Sequence, residues 1–131
     1  MAIVPNRDQF IALASAPDEG PVVMINLLKF KAKSADGSST GAESYGRYSD
    51  AVVSMVEAQG GRLVWLGKVD QVLIGDADAD GWDSAALVEY PSRKAFIDMV
   101  TSKDYDAAHS HREGGLERTV LLACTERALP S

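Results

Sequence analysis

Trp82–Val100, WDSAALVEYPSRKAFIDMV, is the stretch whose reading decides the fold. Ala85 to Tyr90 (AALVEY) is short and mostly apolar, and it runs into Pro91. Proline has no N–H to give a sheet and disfavours a helical residue before it, so a strand ends there. Ser92 is placed as an N-cap, its hydroxyl able to accept a backbone N–H of a first helical turn. Phe96, Met99 and Val100 then recur at helical spacing on one apolar face. Arg93 and Lys94 fall in that first turn, where the helix dipole favours negative charge. They read as two solvated cations at a small cost rather than as an anion site.

The same logic extends to both sides. Asn6 and Gln9 form a capping-box pair at the start of a short helix whose apolar side is Phe10, Ile11 and Leu13–Ala14. Pro21–Phe30, PVVMINLLKF, is a long strand, apolar enough to be buried on both faces. Lys31–Thr40 is a polar loop. Thr40 with Glu43 is a second capping box, opening a helix with Tyr45, Tyr48, Val52, Met55 and Val56 as its stripe. Gly60-Gly61 ends it. Arg62–Gly75 reads as a strand with Gly67 as a bulge or bend, and Asp76–Gly81 as an acidic loop. Thr101–Gly115 reads as a solvated polar segment carrying Tyr105, His109, His111 and Arg112, after which Gly114-Gly115 releases a last strand, Leu116–Cys124. The closing TERALPS is a loosely held tail. The order is an extra helix followed by βαββαβ: an α+β, ferredoxin-like chain with a four-stranded antiparallel sheet.

Composition narrows the function. The 131 residues make one domain, with 46% hydrophobic and 24% charged side chains. A net charge of −6 and a pI of about 4.8 argue against nucleic acid as a partner. Cys124 is the only cysteine, so neither an intramolecular disulfide nor a cysteine metal cluster is expected. It reads as a small buried hydrophobe. Nothing resembles a signal peptide or a membrane span, and a cytoplasmic protein is the default expectation.

The strands carry a further implication. VVMINLL, LVWLG and TVLLAC are apolar on both parities, whereas a sheet face open to water should alternate. Two helices can cover one face of the sheet. A bare apolar face larger than a few hundred Å² is rare on a soluble monomer. A second copy packed sheet to sheet is the economical cover, giving a symmetric homodimer with an interface of roughly 2,000 Å² or more. The alternative is that the N-terminal helix and the Thr101–Gly115 segment cover it.

The runs NLLKF (Asn26–Phe30), SYGRY (Ser44–Tyr48), GGRL (Gly60–Leu63) and VEYPS (Val88–Ser92) resemble the domain-of-unknown-function family numbered thirteen-thirty, within the dimeric α+β barrel superfamily. The resemblance spans about Pro21 to Cys124. It implies a dimeric α+β barrel and a pocket between sheet and helices or inside the barrel. Relatives in that superfamily include cofactor-free monooxygenases, muconolactone isomerase and haem-dependent enzymes. Their site motifs do not map onto this chain residue by residue.

The candidate chemistry therefore comes from the residues. Asn26 is the uncharged polar residue inside an apolar strand. It either orients a substrate carbonyl or enolate, or ties down a loop backbone. Tyr45 and Tyr48 lie a turn apart and read first as core with hydroxyls at the rim, Tyr48 being placed to reach a pocket. Trp65 and Trp82 are candidate walls for an aromatic ligand, with Trp65 also suited to a dimer core. Glu89 would gain basicity if partly buried. A salt bridge to Arg118 or Arg112 is its commoner fate. His109 or His111 could shuttle a proton, with Arg112 holding a carboxylate and Tyr105 nearby. With Glu113 the histidines make only a weak metal pattern, and none is expected. Asp76, Asp78, Asp80 and Gly81 copy the front of a calcium loop, but Leu87 stands where the bidentate Glu belongs, so this is a hairpin loop. The leading expectation is a small cofactor-independent oxygenase- or isomerase-type enzyme on a hydrophobic or aromatic carbonyl compound. The alternatives are a non-catalytic small-molecule-binding dimer and a structural module.

Overall fold

Pro91 does end a strand, and Ser92 does start a helix. In the computed structural model, which describes residues 4–18, 20–79 and 81–127, strand β3 spans Ser84–Tyr90 and helix α3 spans Arg93–Val100. The Ser92 hydroxyl accepts the Ala95 N–H at 3.0 Å. The dipole mismatch at Arg93 and Lys94 is resolved from elsewhere in the chain. Asp18 accepts both their backbone N–H groups, at 2.9 and 3.1 Å, so a carboxylate occupies the positive end of α3 after all.

Around this pair lie β1 (Val22–Phe30), β2 (Arg62–Lys68) and β4 (Leu116–Cys124), with helices α1 (Arg7–Ser15), α2 (Gly41–Ala58) and α4 (Lys103–Gly115). Both capping boxes form, Asn6 with Gln9 and Thr40 with Glu43. The sheet order is β2-β3-β1-β4 and every pairing is antiparallel, the ferredoxin-like arrangement. Register sorts the side chains. Val22, Met24, Asn26 and Leu28 of β1 lie opposite Tyr90, Val88, Ala86 and Ser84 of β3 on one face, beneath the helices. Val23, Ile25 and Leu27 share the other face with Ala85, Leu87 and Glu89.

Three expectations are corrected. First, Thr101–Gly115 is not a polar loop but contains α4. Ser102 caps it, Asp104 and Asp106 sit in its first turn and Arg112 in its last, the charge order the dipole favours. Its buried face is Tyr105, Ala108, Arg112, Gly114 and Gly115. Only Tyr105 on that face is large and apolar, the rest being alanine, glycine and an arginine, so apolar periodicity could not reveal it. Second, β2 stops at Lys68 rather than Gly75. Past Lys68 the Val69 N–H still donates to the Asp83 carbonyl at 3.1 Å, but no regular ladder follows among the described residues, and Leu73 and Ile74 are 84% and 93% exposed. Third, the β2 irregularity is between Leu63 and Trp65, at Val64, not at Gly67. Gly67 serves a different purpose: a Cβ there would lie 2.1 Å from the Trp65 ring, so glycine lets the indole lie across the strand.

α4 packs against α2, and α1 against α3. Both thicken the helical layer, so neither the N-terminal helix nor Thr101–Gly115 covers the second sheet face. The α2–α4 approach is close. Cβ atoms built on Gly41 and Gly115 would meet backbone oxygens at 2.7 Å or less, Ser44 Oγ donates to the His111 carbonyl at 2.8 Å, and Lys31 N–H donates to the Gly115 carbonyl at 2.8 Å. Among the described residues, no helix is long and apolar enough to cross a membrane. Asp80 and Ala128–Ser131, part of the acidic loop and of the tail, lie outside the described residues. In that loop, Asp76 Oδ1 accepts the Asp78 and Ala79 N–H groups, a self-contained turn.

Candidate functional site

Between the helical layer and the sheet lies a cavity of about 560 Å³, within the 300–1,000 Å³ usual for small-molecule sites. Its floor is the helix-facing side of β1 and β3, including Met24, Asn26, Ala86 and Val88. Val52 and Val56 of α2 and Phe96 and Met99 of α3 supply apolar walls. α1 contributes Phe10 and Ile11. The cavity is not sealed, since Ile11, Leu63 and Leu66 line it and are exposed.

Most of the polar groups come from α2, α4 and β1, with Asn6 and Arg7 added at the start of α1 and Thr101 at the end of α3. Asn26, Tyr45, Tyr48, Tyr105, His109 and Arg112 all line the cavity. An aromatic chain links them: Phe30 to Tyr45 at 5.5 Å between ring centres, Tyr45 to Tyr48 at 5.2 Å, Tyr48 to Tyr105 at 5.8 Å edge-on, and Tyr105 to His109 at 5.5 Å. The Tyr48 and Tyr105 hydroxyls are 3.0 Å apart and buried. Asn26 Nδ2 donates to the Met24 and Ala86 carbonyls at 3.3 and 3.5 Å. Asn26 thus ties down strand carbonyls of its own sheet, not a loop, and also borders the cavity. His109 Nδ1 lies 2.9 Å from Glu113 Oε1. A proton held there on Nδ1 leaves Nε2 as the nitrogen able to exchange one. Arg112 is 7% exposed and places a permanent positive charge against the cavity.

Burial sets the electrostatics. Loss of hydration holds Tyr45 up to about 12, the nearby Arg112 opposing the rise. Tyr48 is pushed higher still, by burial first and then by Tyr105 and Tyr45. Burial also raises Tyr90, whose hydroxyl faces Met99 Sδ at 3.9 Å. These phenols stay protonated at neutral pH and are not charged bases.

The structure brings five of the sequence candidates to one place: Asn26, Tyr48, Tyr105, His109 and Arg112. It leaves Trp65, Glu89 and His111 outside the cavity. The i, i+2 histidines sit about 200° apart on a helix, so α4 separates them. Trp65 pairs with Leu87 on the far sheet face and is 55% exposed. Glu89 forms its salt bridge with Arg62, its cross-strand neighbour, at 3.3 Å, and not with Arg118 or Arg112. Arg118 instead lies 4.2 Å over the Trp82 ring and donates to the Ala79 and Gly81 carbonyls, bracing the β2–β3 connection. Tyr45 and α1 line the cavity as well. Only the one-turn spacing of Tyr45 from Tyr48 signalled the first. Among the described residues, no group of three or more acidic, histidine or cysteine side chains could hold a metal ion.

The profile of the family described as domain of unknown function (DUF1330) matches residues 35–124. The chain belongs to this family. The RPA0582 protein of Rhodopseudomonas palustris, described as of unknown function, is 33% identical in its methylated crystal form over 97% of this chain and 96% of that one, with a TM-score of 0.91. Two more distant structures share the fold alone. A dabb family protein with a ferredoxin-like fold from Mesorhizobium loti is 11% identical over 84% of this chain and 100% of its own, with a TM-score of 0.58. The Arabidopsis thaliana protein At3g17210 is 14% identical over 84% of this chain and 99% of its own, with a TM-score of 0.57. No curated protein matches this DUF1330 member.

Proposed function

We propose that this protein binds an apolar, ring-sized carbonyl compound between its sheet and helices and acts on it by proton transfer, as an isomerase-type enzyme. The observation that carries the reading is the cavity itself: about 560 Å³, walled largely by aliphatic and aromatic side chains, with polar groups from α2, α4, the start of α1, Thr101 and one strand asparagine. An apolar ligand body gains from burial at roughly 25 cal/mol per Å². His109 Nε2 takes a proton from the carbon beside the carbonyl and returns it elsewhere on the ligand, so no proton is gained or lost overall. Glu113 holds the ring from Nδ1, the orienting role that a carboxylate plays towards a catalytic histidine. Arg112 stabilises the negative charge that develops on the oxygen.

The working form is a homodimer. Trp65, Leu87, Ile25, Leu27, Val120 and Leu122 share the sheet face that no described helix covers, and Trp65 and Leu122 are exposed. The chain exposes 8456 Å², against roughly 6,700 Å² for a compact monomer of 14.0 kDa. A second copy seated on that face buries part of the excess.

Mass spectrometry of small molecules carried through purification tests the reading. An apolar carbonyl compound is expected, and His109→Gln should bind it while converting it about a hundredfold more slowly. Recovery of an unconverted ligand by both proteins refutes catalysis and leaves a binding protein. Absence of any apolar ligand, together with no thermal shift from a panel of aromatic ketones, refutes the site.

A further inference from the structure

The Tyr48 and Tyr105 hydroxyls pose a counting problem. Each carries one hydrogen, and the 3.0 Å bond between them uses one of the two. The second has no acceptor among the described residues, although both side chains are only 8% exposed. A buried hydroxyl hydrogen without a partner is costly. Both tyrosines line the cavity, so an acceptor can come from what the cavity holds.

We infer that the Tyr48–Tyr105 pair is the donor to the ligand's carbonyl oxygen and makes the site select compounds with a hydrogen-bond acceptor on an apolar body. This rests on the cavity being a ligand site, as proposed above, and adds which groups read the ligand. The pair suits the task for three reasons. Its rings meet edge-on at 85°, and their helices are locked by the Gly41–Gly115 approach and the bond from Ser44 to the His111 carbonyl, so the donor is aimed before the ligand arrives. A hydroxyl that itself accepts a hydrogen bond donates a stronger one. Burial holds Tyr48 protonated well above its ordinary range, so the donor is not lost as phenolate near neutral pH. Nothing is oxidised or transferred: the hydrogen bond to the oxygen shortens as charge gathers there during proton removal.

Two naphthalenes of nearly equal shape test it. 2-Acetylnaphthalene carries the acceptor oxygen, and 2-isopropylnaphthalene lacks it. The double variant Tyr48→Phe/Tyr105→Phe removes both hydroxyls at once and leaves neither unpaired, which keeps the fold cost small. Wild type should bind the ketone in preference to the hydrocarbon. The double variant should lose roughly three- to tenfold in ketone affinity and nothing in hydrocarbon affinity. In wild type the carbonyl 13C resonance of the bound ketone should lie downfield of its value in cyclohexane. Equal ketone preference in wild type and variant, or a carbonyl resonance at its cyclohexane position, overturns the inference. If wild type binds neither compound, the cavity reading itself falls and takes this role with it. If the variant binds neither while wild type binds both, the resonance in the wild-type complex decides.

Discussion

Leu87→Lys tests the bare sheet face. Leu87 lies in mid-β3, opposite Ile25 on one side and Trp65 on the other, near the centre of the apolar face. In the single chain it points away from the helices, so a lysine there can reach water and the fold should survive. In a two-fold dimer each copy contributes one Leu87. Leu87 is already partly buried in the single chain, so the interface adds only part of the roughly 1.5–3 kcal/mol of full leucine burial per copy. The larger cost is two lysine charges brought into an apolar interface without partners, several kcal/mol, which weakens association by about a hundredfold or more. Sedimentation equilibrium over a dilution series reads the effect, with circular dichroism as the check on folding. Wild type should hold twice the 14.0 kDa chain mass at micromolar concentration, and the variant should fall to a folded single chain. A wild-type protein that sediments as one chain, or a variant that dissociates like wild type, refutes the claim that a second copy covers this face.

Gly41→Ala should be severely destabilising, because its Cβ would sit 2.1 Å from the Lys31 carbonyl oxygen and 2.7 Å from that of Gly115. These are backbone atoms that cannot swing aside, so a loss of about 3 kcal/mol or more and a Tm lower by roughly 10 °C are expected in thermal unfolding. An unchanged Tm means that the helices are not locked there. Alkaline titration should show Tyr45, Tyr48 and Tyr90 resisting ionisation. Their folded pKa values lie above the ordinary 10.0. The stability they confer is therefore intact below pH 10 and declines as pH rises from there towards about 12 and beyond. Tyrosinate absorbance should appear together with loss of the far-ultraviolet signal. Reversible ionisation of all the tyrosines near pH 10 in the folded protein contradicts the burial argument.

Much of the architecture was legible because it rests on local rules. Pro91 and Ser92, the Thr40–Glu43 and Asn6–Gln9 boxes, and Gly60-Gly61 mark element ends by backbone chemistry that depends on near neighbours alone. The two-sided apolar strands likewise announce a face needing cover. α4 escaped because its buried surface carries one large aromatic, Tyr105, beside alanine, glycines and an arginine, too little apolar area to register as periodicity. Asp18 capping α3 and Arg118 bracing the β2–β3 connection escaped because each joins residues far apart in the chain.

The site divides along the same line. The sequence by itself determined which side chains could do chemistry, since Asn26, the histidines, Arg112 and the tyrosines stand out by residue type. Only the tertiary structure decided which of them meet. Folding Thr101–Gly115 into a helix turns His109 towards the cavity and His111 away from it, and strand parity sends Trp65 and Glu89 to the opposite face of the sheet. The 3.0 Å bond between Tyr48 and Tyr105 joins residues 57 apart in the chain. It exists because glycine at positions 41 and 115 lets two helices approach to backbone contact.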